Sequence, residues 1–276
     1  MIVYLNGEYL PLEQARISPE DRGFLFADAI YEVARFYRGR PFHLAEHLAR
    51  MREGLAALEI SVDAGFYPGV AERLLQLNNL ASGDAIVYAQ VSRGAAPRAH
   101  GFPPGGTKPT VFAQARASDP VGPVGGGSAI LLPDERWGRC DIKTVMLLAN
   151  VLSYERARKT GAIEAILVRD DIAWEGTKAN LFLVRGGAVR TAPNGPRILP
   201  GVTRGAAITA ARTLGFPVEE RAFSISELLS ADEVFLASTT LWTYPLVAVD
   251  GKTIGDGKPG PVATKLREVL WADFTK

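Results

Sequence analysis

The stretch Asp119-Pro120-Val121-Gly122-Pro123-Val124-Gly125-Gly126-Gly127-Ser128 is the densest proline and glycine run in the chain. Proline lacks a backbone N–H and glycine lacks a side chain to bury, so the run reads as a connection. Such segments fall where few contacts cross between folded bodies. It predicts a smaller N-terminal domain over residues 1–118, a linker over 119–127 and a larger C-terminal domain over 128–276. With about 150 residues as an ordinary domain length, the 276 residues fit that division.

Upstream of the run, Ile2 to Leu5 and Glu8 to Leu10 flank Asn6-Gly7, which predicts a β-hairpin. Leu44, Leu48, Met51, Leu55 and Leu58 recur at the helical period and predict a helix over 45–58, with a second over 66–80. Residues 85–92 and 110–115 are β-rich runs bounded by glycine and proline. Downstream, strands are expected at 129–132, 163–168, 180–184, 188–191 and 234–237, the third and fourth joined across Gly186-Gly187. Helices are expected over about 144–160, stopped by Gly161, over 203–214, stopped by Gly215, and over 262–272, while Ser224-Ile225-Ser226-Glu227 has the form of a capping box. Both halves are therefore of mixed α and β class.

Apolar residues at 47% and charged residues at 22% are ordinary globular usage. Lys and Arg at 31 against Asp and Glu at 30 leave a net charge of +1, which removes the broad electrostatic reason to expect nucleic acid or an anionic membrane as partner. Any anion must be held locally. The single cysteine, Cys140, forms no intrachain disulfide, and no Cys/His spacing reads as a metal site, so no metal is expected. Asn6-Gly7 and Glu8 interrupt the apolar core that a signal peptide requires, and no apolar run approaches the roughly 18 residues of a membrane span. A cytoplasmic setting is the expectation.

Lys143 follows Arg136-Trp137-Gly138-Arg139-Cys140-Asp141-Ile142, among apolar and aromatic neighbours. A desolvated lysine has its pKa pulled down and becomes an amine able to form a Schiff base with a carbonyl; a solvated structural lysine is the plainer role. Glu175, between Trp174 and Gly176, is either a carboxylate for a ring nitrogen or a solvated strand-end residue. Gly201-Val202-Thr203-Arg204 opens an alanine-rich helix whose first N–H groups lack partners, and Ser238-Thr239-Thr240 offers adjacent hydroxyls after an apolar strand. Both suit a phosphate, or simple capping and a polar turn. Arg50 is a third phosphate candidate or an exposed helix-face arginine. Arg98 and His100 stand two apart in a loop, where an extended backbone would aim both the same way as a carboxylate clamp, or they are a charged loop arginine and an ordinary surface histidine. None of His43, His47 and His100 has a Ser or Cys partner in sequence for a hydrolytic triad, and Cys140 reads as a small buried residue.

In chain order, Glu20-Asp21-Arg22-Gly23, Tyr31-Glu32-Val33, Glu46-His47 with Arg50, Arg93-Gly94 with Pro97-Arg98-Ala99-His100, Arg136 to Lys143, Glu175-Gly176 with Asn180-Leu181-Phe182, Ile198-Leu199 with Gly201-Val202-Thr203-Arg204, and Ser238-Thr239-Thr240 resemble the fold type IV pyridoxal-phosphate transaminases. Among these, the D-amino-acid transaminases are the most similar. The resemblance runs nearly end to end. It implies a smaller N-terminal α/β domain and a larger C-terminal domain with a β-barrel-like sheet and flanking helices. It further implies that Lys143 forms the Schiff base with pyridoxal 5'-phosphate and shuttles the substrate proton, and that Glu175 contacts the pyridine nitrogen. Arg50, Val202, Thr203 and Thr239 would hold the phosphate, with Leu199 against the ring face.

Tyr31, Arg98 and His100 match the carboxylate trap of the D-enzymes, with Thr240 also on the substrate side, and Arg98 and His100 would come from the neighbouring subunit of a homodimer. The implied reaction is ping-pong transfer of an amino group from D-alanine or D-glutamate to 2-oxoglutarate or pyruvate. Branched-chain L-transaminases, amine transaminases and aminodeoxychorismate lyases share the cofactor residues, and Arg98-Ala99-His100 separates the readings. Intact Lys143 and Glu175 argue against a non-catalytic cofactor-binding protein. One stretch departs: Thr177-Lys178-Ala179 stands where the D-enzymes carry small hydroxyl residues, which introduces Lys178 as a rival lysine.

Overall fold

Asn6 (φ 52°) and Gly7 (φ 106°) take the left-handed backbone that a two-residue turn between right-twisted strands demands. They join β1 (Ile2–Leu5) to β2 (Glu8–Pro11) in the expected hairpin. In the computed structural model, which describes residues 1–119 and 124–275, the chain then runs through α1 (Arg22–Phe26), β3 (Ala29–Tyr37), β4 (Arg40–Pro41), α2 (Leu44–Ala57), α3 (Phe66–Leu77), β5 (Asp84–Ser92) and β6 (Thr110–Ala117). These strands form an antiparallel sheet ordered β2-β1-β6-β5-β3-β4. Its centre is the β3–β5 ladder, which runs from Ala29 opposite Ser92 to Tyr37 opposite Asp84. The apolar stripes read from the sequence are the faces that α2 and α3 bury, through Met51 and Leu55 and through Tyr67, Val70, Leu74 and Leu75. The Tyr67 hydroxyl, fully buried, donates to the Val87 carbonyl at 2.7 Å and accepts from the Ala34 amide at 3.3 Å, so the helix is tied to two neighbouring strands.

The chain divides into two compact units, Met1–Pro120 with Ile142–Met146, and Val121–Asp141 with Leu147–Lys276. Five residues beyond the proline and glycine run, Ile142–Met146, group with the first unit. There the Tyr31 amide donates to the Lys143 carbonyl at 2.9 Å, the Val145 amide to the Ala29 carbonyl at 3.2 Å, and Ile30 bridges Thr144. Pairing with β3 takes up the Lys143 carbonyl, which would accept the first bond of a helix beginning at Thr144, and α4 (Leu148–Lys159) starts four residues later than its composition suggests. Residues 120–123 of the expected linker lie outside the described residues.

The second unit contains β7 (Gly127–Pro133), α4, β8 (Glu164–Arg169), β9 (Ile172–Gly176), β10 (Asn180–Arg185), β11 (Ala188–Thr191), α5 (Val202–Thr213), β12 (Val218–Glu220), β13 (Phe223–Ser224), α6 (Ile225–Leu229), β14 (Glu233–Ser238), β15 (Trp242–Val249), β16 (Lys252–Thr253) and α7 (Pro261–Thr275). Its ladder runs β10-β14-β15-β7-β8-β9 and returns to β10 through Asn180 opposite Glu175, which closes a six-stranded barrel. Leu181, Leu183, Val234, Leu236 and Ile166 belong to one buried core. The alternate residues Phe182 and Phe235, cross-strand partners, stack at 4.8 Å and 9° and are also fully buried. Both faces of β10 and β14 are thus covered, which is why their sequences are continuously apolar instead of alternating. The capping box at Ser224 and Glu227 forms as expected. A cap that no local motif announces joins two elements: both carboxylate oxygens of Glu233 accept from the Val262 and Ala263 amides at 3.0 Å, at the start of α7.

Phe235→Ala opens a void in a region with no solvent access, and we expect it to cost about 3–5 kcal/mol, seen as a lower urea midpoint at unchanged slope. Phe24→Ala, at a residue 76% exposed, shifts the same midpoint by less than about 0.5 kcal/mol.

Candidate active site

The start of β3 organises the first unit's candidate residues. The backbone pairing of Tyr31 with Lys143 sets the lysine beside that strand, and the Lys143 Nζ lies over the Tyr31 ring, 4.3 Å from its centroid. Tyr31 in turn stacks on Tyr88 of β5 at 5.5 Å, whose hydroxyl donates to Gln90 Oε1 at 2.7 Å. Strand alternation sends the next residue, Glu32, to the opposite face. There it is fully buried, accepting from Arg50 Nε at 2.9 Å and Nη2 at 2.5 Å, from His47 Nδ1 at 3.0 Å and from the Val33 amide at 2.9 Å.

His47 and Arg50 stand three apart on α2 and so share a helix face. Burial opposes ionisation of Glu32, but the Arg50 guanidinium and the His47 hydrogen bond hold its carboxyl well below the usual range. Burial pushes His47 down, towards the neutral imidazole. Its Nδ1 proton therefore points at Glu32, and its Nε2 is buried without a hydrogen-bond partner. Arg50, read from sequence as a phosphate ligand or an exposed helix residue, is 8% exposed and forked onto Glu32.

Arg98 and His100 lie in the loop between β5 and β6. The segment bends instead of running extended, so alternation does not align them. They converge by another route. The Arg98 guanidinium carbon is 5.2 Å from the Phe26 ring centroid and the His100 ring is 5.6 Å from the same ring. Both side chains are exposed.

In the second unit the residue pair that closes the barrel is itself the centre of the candidate site. Glu175, 4% exposed, accepts from Asn180 Nδ2 at 2.9 Å, from the Leu199 amide at 3.1 and 3.2 Å, and from Arg136 Nη1. Arg136 is oriented by Asp134, through Nε to Oδ1 at 2.8 Å and Nη2 to Oδ2 at 3.1 Å. Burial pushes the Glu175 carboxyl up, to about 7, against the pull of Arg136 and the Leu199 amide. Asn180 Nδ2 also donates to the Leu199 carbonyl at 2.8 Å. A Cβ at Gly201 would fall 1.9 Å from Asn180 Oδ1, so only glycine lets the chain pass.

Those contacts fix where α5 begins. Gly201, its N-cap, brings no capping side chain, and the Thr203 hydroxyl is buried without a partner beside the helix's first amides. A buried orphan hydroxyl at an uncapped helix N-terminus is complementary to an anion with several acceptor oxygens. Ser238 is engaged locally, its hydroxyl accepting from the Leu241 amide at 3.2 Å, and Thr239 and Thr240 sit in that turn between β14 and β15. Lys178 is exposed at the tip of the β9–β10 hairpin, with its Nζ 3.6 Å from the Tyr154 ring centroid on α4.

Sequence reasoning assigned no role to Glu32, Asp134, Arg136 or Asn180. For Glu32 the available signal was an ionisable residue inside a run of β-branched and aromatic residues; for Arg136 and Asn180 it was membership of motifs already singled out.

The model of the Amino-transferase class IV family matches residues 29–249. A D-alanine aminotransferase of Staphylococcus haemolyticus is 39% identical over 272 residues, 96% of this chain and 95% of that protein. One from Bacillus licheniformis is 38% identical over 275 residues, 98% of this chain and 96% of that protein. Of the solved structures, the branched-chain amino acid aminotransferase of Escherichia coli aligns with a TM-score of 0.88 at 25% identity. A T.th. branched-chain amino acid aminotransferase with pyridoxamine 5'-phosphate aligns with a TM-score of 0.90, also at 25% identity. In both cases the alignment covers 99% of this chain and 94% of the other.

The raised Glu175 pKa has a stability consequence of defined sign. The group titrates near 4.5 when unfolded and near 7 when folded, so its contribution to stability is complete below about 4.5 and is lost as pH rises towards 7. In ligand-free protein, the loss of unfolding free energy between about pH 5 and pH 8 is expected to be smaller in Glu175→Gln than in the parent, by roughly 2 kcal/mol. Urea denaturation at the two pH values measures it, and equal losses in both proteins would remove the assignment.

Proposed function

Because this chain belongs to the Amino-transferase class IV family, we propose that it is a pyridoxal-phosphate-dependent transaminase that moves the amino group of a D-amino acid to a 2-oxo acid. The observation that carries this reading is the near full-length likeness to D-alanine aminotransferases at 35–39% identity. D-Alanine and D-glutamate are the proposed donors, with pyruvate and 2-oxoglutarate as acceptors, in two successive half-reactions. Transamination of L-branched-chain amino acids is the second reading. Its support is the fold likeness to branched-chain enzymes, at the lower identity of 25%.

The residues present fit the cofactor. Thr203 Oγ1 lacks a partner at the uncapped start of α5, as a phosphate ligand would, and Glu175 offers a buried carboxylate to a protonated ring nitrogen. When bound, the cofactor supplies an aldehyde for an amine and a ring that withdraws electrons from the substrate Cα. The Lys143 Nζ would be the amine that holds it and the base that takes and returns the proton of the substrate Cα. Glu175 keeps the ring nitrogen protonated, with Arg136, Asn180 and the Leu199 amide holding its carboxylate still. Val202, Thr203, Thr239 and Arg50 bind the phosphate, and Leu199 supports the ring face. Tyr31, Arg98, His100 and Thr240 receive the substrate carboxylate. Since Lys143 delivers its proton from one side, the carboxylate's seat decides which enantiomer reacts.

The proposal includes a homodimer in which Arg98 and His100 serve the neighbouring subunit, and a cytoplasmic setting. No helix among the described residues is long and apolar enough to cross a membrane.

Purified protein is expected to show a visible absorption band that D-alanine bleaches and L-leucine does not. Lys143→Ala should lose that band and reduce turnover by at least roughly 10²–10⁴-fold, while Lys178→Ala keeps both. Protein that stays colourless with added pyridoxal phosphate overturns the proposal, and bleaching by L-leucine alone transfers it to the second reading.

A further inference from the structure

We propose that Arg22 is the positioning residue of the substrate-carboxylate clamp, holding the backbone of Ala99, His100 and Gly101 so that Arg98 and His100 are set before substrate arrives. This rests on the D-amino-acid reading above, in which Arg98 and His100 bind the carboxylate, and it deepens that reading by assigning the geometry of the clamp to a residue outside it.

Arg22 is 4% exposed, at the first position of α1. Its guanidinium serves three consecutive carbonyls of the loop: Nη1 donates to Ala99 O at 2.6 Å and to Gly101 O at 3.3 Å, and Nη2 to His100 O at 3.4 Å. Its Nε bonds Asp28 Oδ2 at 2.8 Å. A planar fork with fixed donor directions imposes a fixed curvature on the peptide it bridges, which a lysine ammonium does not. One turn along the same helix, Phe26 supplies a ring that Arg22, Arg98 and His100 all face, at 4.8, 5.2 and 5.6 Å. Backbone and side-chain contacts from α1 therefore act on the same two residues.

The helix is itself anchored. Asp21, its N-cap, accepts from the Gly23 amide at 2.8 Å, from Ser92 Oγ at 3.0 Å and from Thr110 Oγ1 at 2.6 Å, at the facing ends of β5 and β6. The Arg22 amide donates to the Gly94 carbonyl at 2.9 Å. Asp28 joins the two ends of the loop to this anchor, since it also accepts from Arg93 Nε at 2.7 Å and Nη2 at 3.1 Å. Arg93 lies 3.6 Å from the centroid of Phe102. The loop that carries the clamp is exposed, yet its backbone hangs on a buried ion-pair network. The ordering of a long arginine side chain and its loop is then met on folding, and it does not weaken substrate binding.

The test uses the holoenzyme and steady-state kinetics with D-alanine, comparing Arg22→Met, Arg22→Lys, Phe26→Leu, Arg98→Ala and the double variant Arg22→Met with Arg98→Ala. Arg22→Met should raise KM for D-alanine about tenfold, with kcat falling far less and the visible band unchanged, and Arg22→Lys should recover only part of the loss. In the double variant the rise over Arg98→Ala should fall well short of tenfold, because the part of the first change that acts through Arg98 is already lost and only His100 is left to be displaced. A KM raised in Arg98→Ala but within about twofold of the parent in Arg22→Met overturns the inference and leaves the D-amino-acid reading standing. A KM unchanged in Arg98→Ala overturns the clamp itself, and this inference with it. Effects that multiply in the double variant make Arg22 a general stabiliser and also overturn it. Should Arg22→Met fail to fold, Phe26→Leu and Arg22→Lys decide by the same split of KM from kcat.

Discussion

The contact between Asn180 and Glu175 is the constraint on which the second unit turns. It is the pairing that converts an open ladder into a closed barrel. Both partners are side chains of the candidate site as well. Asn180 reaches the Leu199 carbonyl and excludes any side chain at Gly201, so the same residue that seals the barrel also sets the first turn of α5. The backbone of position 180 thus closes the barrel while its side chain sets the start of α5.

Buried carboxylates facing arginines recur throughout the molecule. Glu32 with Arg50, Glu175 with Arg136 and Asp134, and Asp28 with Arg22 and Arg93 are all nearly inaccessible. Such pairs add little net stability, since desolvation offsets their attraction. Their use is orientation: a guanidinium forked onto a carboxylate has lost its rotational freedom and holds a loop, a strand end or a helix face in one place. In each case the ion pair stands behind a residue to which a functional role is assigned.

Much of this was legible in the sequence because local chemistry decided it. The Asn6-Gly7 turn, the α2 and α3 stripes and the Ser224 capping box depend on neighbours within a few positions. Lys143, Glu175 and the Gly201 to Arg204 segment drew attention through the resemblance of the ordered motifs to the transaminases, since each alone has a plainer reading. What stayed hidden depends on distant partners. β3 and β15 have no simple alternation, because β3 is covered on most of its positions and β15 carries Pro245. The pairing of residues 143–145 with β3 joins positions over a hundred apart. Glu233 as a cap for α7 and Arg22 as a support for residues 99–101 are likewise contacts that no local window contains.

The return of residues 142–146 to the first unit bears on modular inheritance. Cutting the gene at the proline and glycine tract would leave neither product whole: the leading piece would keep Ala29 and Tyr31 but lose the peptide that bonds to them, and the trailing piece would carry Lys143 away from its aromatic neighbour. A lysine threaded back in this way makes the two halves poor candidates for shuffling as independent cassettes, although a compositional break separates them. A crossover after the returning segment fares no better, since it would part β7 and Arg136 from the barrel strands and the Glu175 carboxylate that they meet.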